Sequence, residues 1–286
     1  MKTLENTPSP LYPITPLPHH PFTHHLMPHL IAISGPSGSG KTTWISQFLK
    51  AQSTPQFYVC PGLGEISVDL ARIGYRFPWV QVIPEAQLKA VLADLPEQAT
   101  VYFEWGFHLD LGSSFLAGLP CQRIAVLPPD LAQSEWHAWA DQVVVGNPVA
   151  APANGHLPEI WCTPLTGQVF DPPSLDALLI ELTGGAYGQV QRMKGIFEMP
   201  SGQAFYVDFV EVLPGMEYTE LNIPPWLGGR PSRFSGIEVV GWGLEQEAIA
   251  QTLIDGCLSD AALAQYHQHY QALDPTLDPV EEPLRV

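Results

Sequence analysis

The stretch HLIAISGPSGSGKTTWISQFL, residues 29–49, decides the fold of this chain of 286 residues. It opens with a continuous apolar run, LIAIS, which is typical of a strand buried on both faces. A glycine-rich segment, GPSGSGKT, follows, and a helical stretch, KTTWISQFLK, comes after it. The segment matches GxxxxGK[ST], a pattern in which backbone N–H groups curl around a phosphate. The order of strand, glycine loop and helix therefore predicts a nucleotide-binding domain.

Each part of the glycine loop has a predicted task. We expect the N–H groups to point at the β-phosphate, Lys41 to bridge the β- and γ-phosphates, and Thr42 to place its hydroxyl on Mg²⁺. A glycine-rich turn that merely joins a strand to a helix is the alternative. The predicted nucleotide-binding residues are Gly35, Ser37, Gly38, Ser39, Gly40, Lys41, Thr42, Thr43 and Asn147.

Alternating strands and helices continue after this loop. Strands are predicted at QFYVC, TVYFEWG, QRIAVLPP, QVVVGN and EIWCTPL, and helices at EAQLKAVLADL and PSLDALLIELTGG. Strands separated by helical stretches predict a parallel sheet covered on both faces. The predicted fold class is therefore α/β, a three-layer P-loop NTPase domain over residues 29–185, with a smaller α+β domain over residues 188–272.

The two ends of the chain have a different composition. Residues 1–28 carry a proline every few positions, which predicts an irregular arm, and residues 273–286 form an acidic, proline-bearing tail. Neutral imidazoles are good metal ligands, so the histidines of the arm could bind a transition metal; a solvated tail is the alternative. These histidines are His19, His20, His24, His25 and His29.

The amino-acid composition argues against several classes of partner and location. The chain has 12 basic and 29 acidic side chains, a net charge of −17, which disfavours nucleic acid and anionic lipid as partners. Its four cysteines lie far apart, without a CxxC spacing, which predicts reduced thiols and a cytoplasmic location. No apolar run approaches the roughly 20 residues that a membrane-spanning helix needs.

Three carboxylates are candidates for phosphoryl chemistry. Glu104 ends the predicted strand VYFE, and acids at the carboxyl edge of a parallel sheet lie in the ligand crevice, so we assign it a catalytic role together with Lys41. Glu65 and Asp69 follow the second strand in PGLGEISVD, where a loop could face the magnesium ion. The predicted Mg²⁺ set is therefore Thr42, Glu65 and Asp69, although either acid could instead be a solvated loop residue.

These segments together resemble the CobW-like family of P-loop GTPases and metallochaperones, over most of residues 30–272. The matching parts are GPSGSGKTT, then GLGEISVD beside the family's NEFGEVGID, then VYFEWG, and the C-terminal RMKGIFEMPSGQAFYVDFV and RPSRFSGIEVVGWGLEQEAIAQTLIDGCL. The resemblance implies that Thr43 helps hold phosphate and magnesium, that Glu65 and Asp69 belong to a switch segment, and that Glu104 and Gly106 report on the γ-phosphate. It also implies GTP as the nucleotide and delivery of zinc, cobalt or a similar metal to a client metalloprotein.

Two departures from the family pattern affect these expectations. The stretch LARIGYRFPWVQVI contains no cysteine where the family has CxCC, so thiolate ligation of zinc is absent there. The segment VVVGNPVAAP offers Asn147 but neither the lysine nor the aspartate of the guanine signature NKxD. Because the missing carboxylate is what rejects adenine, the choice between GTP and ATP stays open.

Three functions are compatible with these features. The first is a slow, Mg²⁺-dependent NTPase that acts as a switch in metal handling or cofactor-protein maturation. The second is a nucleotide-binding or scaffold protein without turnover, with Trp226 in NIPPWLGGRP as an interface anchor or, alternatively, as a cover for its own core. The third, a small-molecule kinase, is disfavoured because arginines are too few for a phosphate-clamping lid.

Several other polar residues have simpler expected roles. His108 could contact a metal or water, although a surface histidine at the strand end is favoured. His267 and His269 lie two apart on a predicted helix and are expected to be solvated. Arg230 and Arg233 could bind a phosphate, but ion pairing within this acidic chain is the simpler expectation.

Overall fold

The computed structural model describes residues 28–149 and 156–273, which form one parallel and one antiparallel sheet. The predictions for His19, His20, His24 and His25, for most of the N-terminal arm and for nearly all of the acidic tail lie outside the described residues. The expected α/β class, with a parallel-sheet domain and a smaller second layer of strands and helices, is confirmed.

The parallel sheet has the order β3-β2-β4-β1-β5-β6, and every neighbouring pair is parallel. Five of the six residues of β1 are buried, as the apolar run LIAIS predicts for a central strand. The strands are β1 (His29–Ser34), β2 (Gln56–Val59), β3 (Val80–Ile83), β4 (Thr100–Glu104), β5 (Gln122–Leu127) and β6 (Gln142–Val145).

Helices cover both faces of this sheet and make the predicted three layers. One face packs on α1 and α2, and the other packs on α3 and α4. Helix α1 ends at Ser46, four residues before the end of the predicted helical stretch. The helices of this half are α1 (Lys41–Ser46), α2 (Val68–Arg76), a 3₁₀ turn (Glu85–Gln87), α3 (Leu88–Ala93), α4 (Ser114–Ala117) and α5 (Glu135–Trp139).

The antiparallel sheet has the order β10-β9-β8-β11-β7. Its strands are β7 (Glu159–Pro164), β8 (Gln189–Glu198), β9 (Ala204–Val210), β10 (Met216–Glu220) and β11 (Gly236–Trp242). One face forms an apolar core with α6 (Pro172–Thr183) and α7 (Gln246–Asp255), and α8 (Asp260–Leu273) follows. Among the described residues, none of the helices combines the length and the apolar character that a bilayer crossing requires.

Helix α2 joins the two sheets because it is buried on two sides. Leu70 and Ile73 pack with the core of the parallel sheet, whereas Val68, Ala71 and Tyr75 pack against β8 and β9 of the other sheet. The helix begins at a defined place, since the hydroxyl of its N-cap Ser67 accepts a hydrogen bond from the Leu70 N–H at 3.1 Å. The carboxyl edge of the parallel sheet is thereby held against the second sheet.

Several elements differ from the sequence prediction. EIWCTPL is a strand, but as β7 it pairs with β11 in the antiparallel sheet and is not the sixth parallel strand. The parallel sheet still has six strands because it includes β3, which was not predicted. Helix α6 packs on β8, and not on the phosphate-loop domain where residues up to 185 were placed. Part of the segment GLGEISVD, expected to be loop, is the first turn of α2.

Candidate functional site

The glycine loop between β1 and α1 has a backbone that only glycine adopts readily. Gly35, Gly38 and Gly40 have φ angles of 146°, 82° and 93°. At Gly35 a Cβ atom would lie 2.2 Å from the Val126 carbonyl oxygen of β5, so the loop passes directly over the neighbouring strand. The sequence pattern therefore corresponds to a curled loop and not to a simple turn.

Lys41, the first residue of α1, is a buried cation that lies against this loop. Its ammonium donates hydrogen bonds to the Gly35 carbonyl at 3.1 Å and to the Pro36 carbonyl at 3.0 Å. Burial lowers the pKa of Lys41, while the nearby Glu104 carboxylate acts in the opposite direction. A buried ammonium that has lost most of its hydration and contacts only two neutral carbonyls is stabilised when an anion binds beside it.

Glu104 connects the end of β4 to the loop. Its Oε1 accepts a hydrogen bond from the Thr42 hydroxyl at 2.9 Å, and its Oε2 accepts one from the Tyr58 hydroxyl at 2.8 Å. Glu104 is buried, and its pKa is raised first by that burial and then by Asp69, with Lys41 opposing both. Parallel pairing of β1 with β4 brings these groups together, since both strands end at the same edge of the sheet.

A cavity of about 420 Å³ opens in front of these groups and is bounded by both sheets. This volume lies in the range of small-molecule sites. The residues of the predicted site that line it are Ser37, Gly38, Gly40, Lys41, Thr42, Thr43, Asp69, Glu104 and Asn147. Gly35 and Ser39 do not line the cavity; Gly35 lies over β5, and the Ser39 side chain is fully buried.

Asn147 follows β6 and borders the loop. Its backbone N–H donates to the Ser39 carbonyl at 2.9 Å, and its side-chain nitrogen lies 3.3 Å from where a Cβ on Gly40 would be. Gly146 is equally constrained, because a Cβ there would meet the Ser39 carbonyl oxygen at 2.2 Å. The segment after β6 is therefore packed against the glycine loop.

The second sheet contributes a set of buried charges to the same cavity. Lys194 of β8 pairs with Asp69 of α2 and with Glu238 of β11, with its Nζ 2.6 Å from Glu238 Oε1. Arg192, two residues earlier on β8, pairs with Asp208 of β9 at 3.2 Å. Burial acts against the charged form of Lys194, but Asp69 and Glu238 outweigh it and raise its pKa well above the usual value.

The structure divides the predicted magnesium residues. Thr42 and Asp69 line the cavity, but Asp69 is engaged with Lys194, and Glu65 is exposed and does not line the cavity. In the described parts of the chain, no group of three or more His, Cys, Asp or Glu side chains is arranged to hold a metal ion by itself. Thr42 and Glu104 are the oxygen donors that lie together.

Sequence reasoning missed the contribution of the second sheet. Arg192, Lys194, Asp208 and Glu238 all line the cavity, and none of them was among the predicted site residues. A local signal was present, because Arg192 and Lys194 are two residues apart on a strand and so share a face. Which structure that face would meet could not be known without the packing of α2 between the sheets.

Two histidine predictions are wrong. His108, expected at the surface, is half-buried and lines the cavity beside Gly62 and Gly106, and burial lowers its pKa. His267, expected to be solvated, is buried, because α8 turns it with Leu263 toward the protein. His269 is exposed, as expected.

The two arginines form ion pairs within the chain, as predicted. Arg230 Nε lies 2.6 Å from Asp260, and its other nitrogens donate to two backbone carbonyls. Arg233 pairs with Glu198 through two parallel contacts of 2.6 and 2.7 Å. Neither arginine lines the cavity, so neither is a phosphate ligand there.

Comparisons with known proteins give distant structural likenesses. No family model matches the chain, and no curated protein matches its sequence. A Zn(II)-bound triple mutant of the YjiA GTPase is 14% identical, with a TM-score of 0.29, over 82% of this chain and 99% of that one. The Zn(II)-bound YjiA GTPase from E. coli is 15% identical, with a TM-score of 0.28, over the same shares. Likenesses this distant do not assign a function.

Proposed function

We propose that this protein binds a purine nucleoside triphosphate with Mg²⁺ at the glycine loop and hydrolyses it slowly, as a switch. One observation carries the proposal: the Thr42 hydroxyl of the loop donates to the Glu104 carboxylate at the end of the adjacent strand. Phosphoryl transfer needs a phosphate cradle and a metal-oriented acid side by side. Here both are buried at one sheet edge and open into one cavity.

Magnesium fits the residues present. Mg²⁺ prefers oxygen ligands and is usually bound by one or two protein groups together with substrate phosphates and water. The Thr42 hydroxyl and the Glu104 carboxylate are such oxygens, 2.9 Å apart. When bound there, Mg²⁺ would neutralise charge on the phosphate oxygens. Asp69, held by Lys194, is the weaker candidate of the predicted set.

The side chains of this site have separable roles in the proposal. Lys41 would leave its two carbonyl partners for the β- and γ-phosphates, gaining charge-assisted contacts in place of neutral ones. Glu104 would hold Thr42 and orient a water molecule. Asn147 would border the base, and the absence of a following lysine and aspartate supports weak discrimination between GTP and ATP.

A second function, nucleotide binding without turnover, is favoured by a different observation. Two acids of the predicted switch segment were expected near the metal. Glu65 is exposed and lies outside the cavity, and Asp69 forms an ion pair with Lys194. A site with fewer free carboxylates has less means to activate water. In this alternative the protein would keep its nucleotide as a structural or regulatory ligand.

The proposed switch would act in metal delivery. Metal handling or cofactor-protein maturation, a client metalloprotein and a cytoplasmic location are supported by the family resemblance and by the low cysteine content. Zinc or another transition metal would need ligands from a client or from the histidines of residues 1–28, since the described residues supply no complete cluster.

Phosphate release and thermal shift test the two functions together. GTP and ATP, each with Mg²⁺, are incubated with the wild type, with Lys41→Ala and with Lys50→Ala, a matched variant at an exposed lysine just beyond α1. We expect release above background for the wild type and Lys50→Ala, and none for Lys41→Ala. Stabilisation by GDP or ADP without release would favour the second function. Equal behaviour of the wild type and Lys41→Ala in both assays would remove both functions.

A further inference from the structure

We propose that Arg192 of the second sheet is a ligand of the terminal phosphate of the bound nucleotide. The inference rests on the nucleotide site proposed above and adds a residue to it. Arg192 lies on β8, far from the glycine loop in sequence and in a different sheet. It would make nucleotide binding depend on how the two sheets are held together.

The first observation is that the second sheet packs directly on the loop. A Cβ at Gly38 would lie 3.3 Å from Val210 Cγ1 of β9 and 3.9 Å from the guanidinium nitrogen Nη1 of Arg192. Gly38 and Arg192 line the same cavity. The guanidinium is therefore about one side-chain contact away from the loop whose N–H groups would surround the β-phosphate. The γ-phosphate, which is the terminal one, would be the phosphate within reach of Arg192.

The second observation is how Arg192 is held. Both contacts with Asp208, 3.2 and 3.3 Å, use the Nη2 nitrogen, whereas Nη1 is the nitrogen beside the loop. Asp208 also accepts a hydrogen bond from the Tyr206 hydroxyl at 3.2 Å. One end of the planar guanidinium is thus anchored, which orients the other end. A guanidinium with five donors in a fixed fork suits a phosphate better than an ammonium does.

The surrounding charges favour Arg192 over its neighbour Lys194 as the phosphate ligand. Lys194 is in contact with two carboxylates, both of them buried, and is fully compensated. Among the described residues, Arg192 contacts a single carboxylate, that of Asp208, and the Asp208 side chain is 23% exposed. Burial lowers the pKa of Lys41, Glu104 opposes this, and Arg192 lowers the pKa further, so Lys41 and Arg192 repel one another across the cavity. A polyphosphate is the class of ligand that offsets this repulsion.

Binding of triphosphate and diphosphate is the direct test. Isothermal titration is performed on the wild type, Arg192→Ala and Arg192→Lys with Mg²⁺ and the β,γ-imido analogue of GTP or of ATP, whichever the wild type binds more tightly, and separately with the matching diphosphate. We expect Arg192→Ala to weaken binding of the triphosphate analogue about tenfold or more, the effect of one lost charge-assisted contact, and to change the affinity for the diphosphate less than about threefold. The affinity of Arg192→Lys for the triphosphate analogue should lie between those of the wild type and Arg192→Ala. Because Arg192→Lys keeps a positive charge next to Asp208, it provides the test if the alanine variant does not fold.

Arg72→Ala is the matched control. Arg72 lines the same cavity, but its guanidinium stacks over the Tyr206 ring, 3.8 Å from the ring centroid. It should leave the ratio of the two affinities unchanged. An unchanged ratio in Arg192→Ala and Arg192→Lys, equal losses for both ligands, or the same selective loss in Arg72→Ala would overturn the inference. Failure of the wild type to bind any of the four ligands, the two triphosphate analogues, GDP and ADP, would instead overturn the proposed nucleotide site itself.

Discussion

Replacement of Lys194 by methionine tests how the two sheets are joined at the cavity. The Lys194 side chain is 8% exposed, and those of its partners Asp69 and Glu238 are 2% and 5% exposed. Lys194→Met keeps much of the volume and leaves two carboxylates buried without their cation. Breaking a buried ion pair in this way costs about 3–5 kcal/mol. Since a domain is stable by only about 5–15 kcal/mol, we expect a large fraction of the free energy of unfolding to be lost.

The cost of Lys194→Met should depend on pH in one direction. In the wild type, burial acts to raise the pKa of Asp69, but Lys194 outweighs it and the pKa is lowered from 3.8. The pKa of Glu238 is raised above 4.5 by burial even with Lys194 present. Without the lysine both folded pKa values lie above the unfolded values. Such carboxyls cost stability above their unfolded pKa, and the cost is relieved as the pH falls through the folded pKa. The loss should be largest at neutral pH and smaller under acidic conditions.

Urea unfolding at pH 7.5 and pH 5, followed by tryptophan fluorescence and by circular dichroism, measures this loss. The two transitions must coincide before a free energy is derived, because each sheet has its own core. The triple variant Asp69→Leu, Lys194→Met, Glu238→Leu should recover to within about 1 kcal/mol of the wild type or exceed it. Lys89→Met, at an exposed lysine, should cost less than about 0.5 kcal/mol. A loss below about 1 kcal/mol for Lys194→Met at pH 7.5 would refute the reasoning, since an uncompensated buried charge costs more than that.

Three further changes have defined outcomes. Glu104→Gln removes the charge of the acid beside Thr42 and should lower kcat for phosphate release at least about 100-fold. Burial raises the pKa of Glu104 in the free protein, so the acidic limb of the wild-type pH profile of kcat/KM, which reports the free enzyme, should lie above pH 4.5; a profile flat down to that pH would contradict the role of Glu104. Gly35→Ala meets a backbone oxygen at 2.2 Å and should lower the melting temperature far more than Gly215→Ala, which has a φ of 72° but open space around it; similar shifts would show that the close approach is unimportant. Arg233→Lys loses the two-point contact with the buried Glu198 and should cost about 1–3 kcal/mol in urea unfolding, whereas no loss would mean that one contact suffices.

The loop and its supporting strand could be predicted because their geometry is local. Gly35 and Gly38 are needed for positive φ angles, and Lys41 and Thr42 follow at fixed offsets on the same turn of chain. Glu104 was also predictable, since parallel strands end at one edge and an acid at the end of β4 must face the loop after β1. These parts depend on spacing and on the side-chain periods of strands and helices.

The assignment of strands to sheets could not be predicted from local pattern. The segment EIWCTPL has the composition of a strand, but nothing within it distinguishes a parallel neighbour from the antiparallel partner β11 that it has. β3 (Val80–Ile83) was not predicted, although β6, also an edge strand of four residues, was. In the structure β3 pairs with β2 and packs against α2, contacts that lie outside its own segment.

The sequence by itself determined that this protein has a curled glycine loop on a parallel sheet, with Glu104 at the same edge of the sheet, because glycine spacing and strand direction depend on short local segments. Only the tertiary structure decided that Arg192, Lys194 and Glu238 of the second sheet complete the cavity, and that Glu65 stays outside it. The physical reason is that buried charges are stable only beside their partners, and those partners are separated widely along the chain.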